Sequence, residues 1–217
     1  GARGGPAREF PAFCRVTAAV RPVAGSEITV EVWLPPAGAW NGKFLGTGNG
    51  GYSGAIGYAA MEQALRQGYA TAGSDTGHTG EDLRFGLNHP EKIDDWAWRA
   101  THVMTETAKL VARSYYGKFP AYSYFSGCST GGQQALMEAQ RFPEDYDGIV
   151  AGAPGNNRVR LNMGFLWSWL AVAPGGSGSL PPAKLPLLNR AAVEACDALD
   201  GLRDGLISDP FRCPFDP

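Results

Sequence analysis

No apolar run in this 217-residue chain approaches the roughly 20 consecutive residues that a bilayer-spanning helix needs, so no stretch of it reads as a membrane span. Basic runs are missing too. With a formal net charge of -2 and only 18% charged residues, the chain has neither a cationic track for nucleic acid nor a patch for an anionic bilayer, so neither is expected as a partner. The first ten residues lack the apolar stretch of a signal peptide, which decides little, since a leader can be removed. Cysteine is scarce, at four residues, and histidine scarcer, at three: His78, His89 and His102. What the chain has is 44% apolar residues, enough for one good core or a core with an excursion.

Alternation predicts a strand over residues 27–34, stopped by Pro35-Pro36, and a second beginning at 43–46. A helical pattern follows at 56–66, then a strand at 69–73. The longest helix is expected over 94–116, with Ala97, Ala100, Thr101, Met104, Ala108, Val111 and Ala112 facing inward. Further strands are expected at 121–125 and 148–152. Strand and helix in alternation imply an α/β fold with a parallel sheet. After residue 156 the rhythm breaks: 163–173 is apolar and tryptophan-rich, and 174–182 has loop composition. This places a domain boundary between 1–156 and 157–217. Trp167 and Trp169 read equally well as ordinary core helix at this point.

The most informative stretch is Gly127-Cys128-Ser129-Thr130-Gly131. Alone, a serine between glycines is also what a plain glycine-rich connection looks like. Here an apolar strand precedes it and a helical pattern with Gln133, Ala135, Leu136 and Ala139 follows, which is the context of a nucleophile elbow. Such a turn exposes the serine oxygen and aims the N–H of the next residue, Thr130, at a developing oxyanion. The glycine-rich loop at 48–51 lacks the lysine and hydroxyl of a phosphate-binding Walker loop, which argues against a nucleotide there.

Together with Leu45-Gly-Thr-Gly-Asn-Gly-Gly51, Ser74-Asp-Thr-Gly-His78, Arg141-Phe-Pro-Glu-Asp-Tyr-Asp-Gly-Ile-Val-Ala-Gly-Ala-Pro-Gly155 and Cys196-Asp-Ala-Leu-Asp-Gly-Leu-Arg-Asp-Gly205, the elbow resembles the tannase and feruloyl esterase family, which includes the hydrolase of mono(2-hydroxyethyl) terephthalate. The resemblance covers nearly the whole chain. It implies the N-terminal part of an α/β-hydrolase core, followed by the start of an inserted lid at 157–217. Ser129 would be the nucleophile, with oxyanion donors at Gly51 and Thr130. The substrate class implied is an ester of a hydroxylated aromatic acid such as ferulate or gallate.

The resemblance also implies a structural calcium ion held by Asp197, Asp200 and Asp204 with the carbonyls of Leu202 and Leu206; the loop is not an EF-hand, since the terminal glutamate is missing. A solvated acidic turn is the alternative. By the same comparison Cys196 and Cys213 form a local disulfide, Cys128 pairs with a cysteine beside the catalytic histidine, and Cys14 pairs upstream. Such bridges imply secretion or a periplasmic location; free thiols are the alternative.

Histidine is where the pattern falls short. This fold takes its partners in the order serine, acid, histidine, yet all three histidines precede Ser129. His102, on the long helix, reads as a core or surface residue, and His78 as a shaper of the site. The expectation is therefore a fragment: the acid, the histidine and the partner of Cys128 lie in a C-terminal segment or on a second polypeptide, and this chain alone is inactive. Two other classes remain open, a catalytically silent binding subunit and a Cys128 nucleophile.

Overall fold

The computed structural model describes residues 10–173 and 178–216. The chain divides into two compact units, Gly1–Asn157 and Arg158–Pro217.

The first unit is built on one six-stranded sheet: β1 (Cys14–Val20), β2 (Ile28–Leu34), β3 (Lys43–Thr47), β4 (Ala70–Ser74), β5 (Tyr122–Cys128) and β6 (Gly148–Gly152), in the order β1-β2-β4-β3-β5-β6. The four strands from β4 across to β6 run parallel. The expectation of a wholly parallel sheet is corrected at the other end. There β1 and β2 form an antiparallel pair, Cys14 opposite Leu34 and Val20 opposite Ile28, and β2 runs antiparallel to β4. Only a short connection links β1 to β2, too short for the crossover that parallel strands require.

Helices cover both faces. On β2, Ile28, Val30, Val32 and Leu34 all point one way, each at most 1% exposed, into a core shared with Phe44, Phe125 and the helix α3 (Ala100–Tyr116). That helix presents Ala100, Met104, Ala108 and Ala112, spaced every four residues, so its inner stripe is mostly methyl groups and the helix lies close to the sheet. It ends at Gly117, whose φ of 75° and N–H bond to Arg113 O form a left-handed stop. The opposite face of β2 turns Trp33 toward Met61 and Leu65 of α1 (Tyr58–Arg66). Truncating either buried ring, Phe44 or Phe125, would cost about 3–5 kcal/mol.

The long helix expected over 94–116 is not uniform. A short helix α2 (Pro90–Asp94) passes through a π turn, Asp95–Arg99, before α3 begins. The extra residue in that turn places the buried Asp95 carboxylate where Ser26 Oγ and Arg99 Nε both donate to it at 2.6 Å. The helix α4 (Thr130–Arg141) follows β5 directly.

In the second unit, α5 (Arg158–Val172) and α6 (Leu185–Cys196) are joined through residues 173–184, and Cys196 is bridged to Cys213. The core reading of the tryptophans is corrected: Trp167 is 80% exposed and Trp169 59%. Part of the expected loop at 174–182, residues 174–177, lies outside the described residues. Among the described residues no helix is long and apolar enough to cross a membrane.

Candidate active site

β5 ends at Cys128 and α4 starts at Thr130, so Ser129 makes the whole turn between them. Its backbone sits at φ 61° and ψ -114°, a conformation that costs a residue with a side chain about 1–3 kcal/mol and persists only where its surroundings over-determine it. They do. Ser129 N–H donates to Gly152 O at 3.0 Å, and Ser129 O accepts from the N–H groups of Gln133 at 3.1 Å and Gly155 at 3.0 Å. The flanking glycines are steric requirements: a Cβ on Gly127 would lie 2.3 Å from Gly131 O, and one on Gly132 would lie 2.3 Å from Gly152 O. The result is an exposed serine whose Oγ has no hydrogen-bond partner among the described residues.

The loop after β3 is tied to this turn. Gly131 N–H donates to Asn49 O at 2.8 Å, and Thr130 Oγ1 donates to Gly51 O at 2.7 Å. Gln134, fully buried on α4, accepts from Asn49 N–H at 3.0 Å and donates to Asn49 Oδ1 at 3.1 Å. The Asn49 amide then donates to the carbonyls of Ala55 and Ser74. Gly50 O accepts from Ser53 N–H at 3.1 Å, while the N–H of Gly51 has no acceptor among the described residues. A cavity of about 510 Å³ opens beside it, lined in part by Gly48, Gly51, Tyr52, Ile56 and Glu81.

None of the three histidines bonds to Ser129. His78 Nε2 lies 2.8 Å from Tyr52 O, and its ring stacks on Phe85. His89 is exposed and pairs with Glu91. His102 stacks on Phe142 and bonds to Asp145 Oδ2 through Nδ1 at 2.6 Å, with Glu138 beside it. The ligand atoms of His102, Glu138 and Asp145 lie within 4.8 Å of one another. Burial and the adjacent Asp145 carboxyl push Glu138 up to about 9, so it is protonated at neutral pH. Sequence reasoning missed this cluster, whose members sit far apart along the chain.

The acidic loop of the second unit is described in full. Asp197 Oδ1 accepts from the N–H groups of Asp204 and Gly205, Asp200 Oδ1 from Leu202 N–H, and Asp204 Oδ1 from Leu206 N–H. Ser208 Oγ donates to Asp200 Oδ2 and holds that carboxyl below its ordinary range. All donors are hard oxygens on a loop closed by the Cys196–Cys213 bridge, which is the chemistry calcium takes. The three carboxylates do not form a group with all ligand atoms within 4.8 Å; among the described residues only the His102 cluster does. Cys14 and Cys128 are free thiols, the first half-buried and the second exposed.

The family model for tannase and feruloyl esterase matches residues 14–217. The chain belongs to that family. Its sheet order and strand–serine–helix turn are those of an α/β-hydrolase core. Among curated relatives, an uncharacterized esterase of Xanthomonas campestris is 44% identical over 210 residues, covering 96% of this chain, and a probable feruloyl esterase B-1 of Neosartorya fischeri is 40% identical over 202 residues, covering 93%. The chain spans 36% and 38% of the lengths of those two relatives. Two solved structures superpose closely. An esterase from Aspergillus oryzae gives a TM-score of 0.86 at 36% identity over 94% of this chain, and a tannin acyl hydrolase from Aspergillus niger gives 0.74 at 27% over 93%. In each case 40% of the solved chain is covered.

Proposed function

We propose that the protein is a serine esterase acting on esters of hydroxylated aromatic acids, of which ferulate and gallate are the leading candidates. The observation that carries this reading is the strained, over-determined backbone of an exposed Ser129 beside a loop whose Gly51 N–H lacks an acceptor. In this mechanism Ser129 Oγ attacks the ester carbonyl, and the N–H groups of Gly51 and Thr130 stabilise the oxyanion. The alcohol leaves, and water releases the acid from the acyl-serine. The base is a histidine, oriented by a carboxylate, from a C-terminal segment or second polypeptide beyond the described residues, since His78, His89 and His102 are each bonded elsewhere. The exposed Cys128 thiol, next to the nucleophile, is suited to bridge that segment to the elbow.

Residues 157–217 are read as the beginning of a lid. Its loop holds calcium through Asp197, Asp200, Asp204 and the carbonyls of Leu202 and Leu206, where the ion stiffens the fold and takes no part in chemistry. Terbium luminescence with wild type and Asp200→Asn tests this, with signal expected only from wild type; equal signals refute the assignment. The Cys196–Cys213 disulfide also supports a secreted or periplasmic location.

One observation favours a second reading, a catalytically silent binding subunit of the same fold: among the described residues no histidine reaches Ser129. Hydrolysis of methyl ferulate and methyl gallate by the full-length protein, compared with its Ser129→Ala variant, separates the two. Release of free acid that disappears in the variant supports the esterase, and saturable binding without hydrolysis supports the subunit.

A further inference from the structure

We propose that His78 is a positioning residue for the oxyanion site, setting the direction of the Gly51 N–H by holding the next carbonyl in the chain. The inference rests on the serine-esterase reading above. Gly48, Gly50 and Gly51 give the loop three residues with no side chain to anchor it, and Gly51 stands at a φ of 57°. Peptide planes flanked by glycine rotate easily, so an N–H used for catalysis there depends on the bonds that hold the turn around it.

Two consecutive carbonyls supply the handles. Gly51 O accepts from Thr130 Oγ1 at 2.7 Å, from the first residue of the nucleophile helix. Tyr52 O lies 2.8 Å from His78 Nε2, which must carry a proton because its partner is a carbonyl. Tyr52 O shares its peptide plane with Ser53 N–H, which donates to Gly50 O at 3.1 Å, and Gly50 O shares its plane with the Gly51 N–H, so the hold of His78 on Tyr52 O is passed to that N–H while Thr130 fixes the peptide between.

The imidazole is itself held on every side. It is 6% exposed and lies parallel to the Phe85 ring at 3.8 Å. Its Nδ1 faces Thr76 Oγ1 at 3.3 Å. The backbones are pressed together as well: Gly54 N–H donates to Gly80 O at 2.8 Å, and a Cβ on Gly54 would lie 2.2 Å from His78 O. The Tyr52 ring stacks on Trp96 of the π turn at 4.9 Å, so the loop is fixed on that side too. A histidine so buried and so bonded is poorly placed to take a proton from Ser129 but well placed to hold a loop.

The test uses the full-length protein, with kcat expressed per active site titrated by a fluorophosphonate, and phenylboronic acid as a tetrahedral adduct that draws on the oxyanion donors. His78→Leu is expected to lower kcat about 10-fold or more with KM changed less than about 2-fold, and to weaken phenylboronic acid inhibition by a similar factor, since small misplacement of a catalytic group costs that much. His78→Gln, whose terminal amide reaches the same carbonyl, recovers most of the loss. A merely structural role would reduce the titrated fraction and leave the per-site kcat and boronate inhibition unchanged, which overturns the proposal. Should the leucine variant not fold, His78→Gln is compared with His78→Asn, one carbon shorter; equal per-site kcat in those two also overturns it. Failure of the underlying reading looks different: Ser129→Ala would then keep its activity.

Discussion

Replacing Glu138 with glutamine should make the protein more stable than wild type at high pH, although it changes a fully buried residue. Glu138 lies on α4 with both carboxyl oxygens lacking an N–H or hydroxyl donor among the described residues. It faces the Asp145 carboxyl from the following loop, and His102 and the Lys109 ammonium from α3, where Lys109 lowers its proton affinity without reversing the effect of burial. The Tyr146 hydroxyl completes the surroundings, bonded to Thr105 Oγ1. A proton held on Glu138 is what makes its burial beside the Asp145 carboxyl tolerable. Because the folded pKa is raised to about 9 from 4.5, the native state keeps a proton that the unfolded chain gives up. The stability this contributes is whole below the unfolded value and is lost as pH rises toward the folded one, at up to about 1.4 kcal/mol per pH unit. Between pH 5.5 and 7.5 the upper bound is about 2.7 kcal/mol. Glutamine has the same shape as the protonated acid and does not titrate. Urea unfolding of both proteins at pH 5.5, 6.5 and 7.5 gives the comparison, in which the linkage of groups remote from Glu138 cancels in the difference. Wild type should lose stability relative to Glu138→Gln as pH rises; parallel curves would refute the proton retained by Glu138.

Gly132→Ala should destabilise the core unit by about 1–3 kcal/mol, because its Cβ meets the backbone atoms Gly152 O and Pro154 Cα at 2.3 and 2.8 Å, and neither can swing aside. Differential scanning calorimetry reads this, and an unchanged transition would contradict the close approach of α4 to β6. Cys196→Ser should remove about 3 kcal/mol from the second unit, given the 17-residue separation that the bridge closes. Limited proteolysis is the assay: cleavage within 196–213 should appear in the variant and be absent from oxidised wild type.

Much of the core was legible because its signals are local. β2 alternates, α3 repeats an apolar residue every four positions, and the serine turn announces itself through the glycines that its close approaches demand. β1 was missed. Its Cys-Arg-Val-Thr-Ala-Ala-Val run has only two β-branched apolar residues, and a strand at the sheet edge needs only one buried face. The π turn at Asp95–Arg99 shifts the helix by one residue, a change that apolar periodicity absorbs without trace. Spacing placed Asp197, Asp200 and Asp204 on one loop but could not say where their carboxylates point, since that depends on which backbone N–H each one accepts. The contact of His102 with Asp145 spans 43 residues and exists only because α3 packs beside the loop after α4. His78 was legible as a shaper of the site, but which atoms it and Thr130 hold is hidden for the same reason, as their partners are carbonyls, which any residue carries.

The most direct test of the esterase account is the site of covalent modification by a fluorophosphonate on the full-length protein, located by peptide mass analysis. The account predicts one adduct, on the peptide that carries Ser129, with methyl ferulate hydrolysis lost in proportion to labelling. Hydrolysis that persists while Ser129 is fully labelled, or an adduct on a different residue that accompanies the loss, would contradict it.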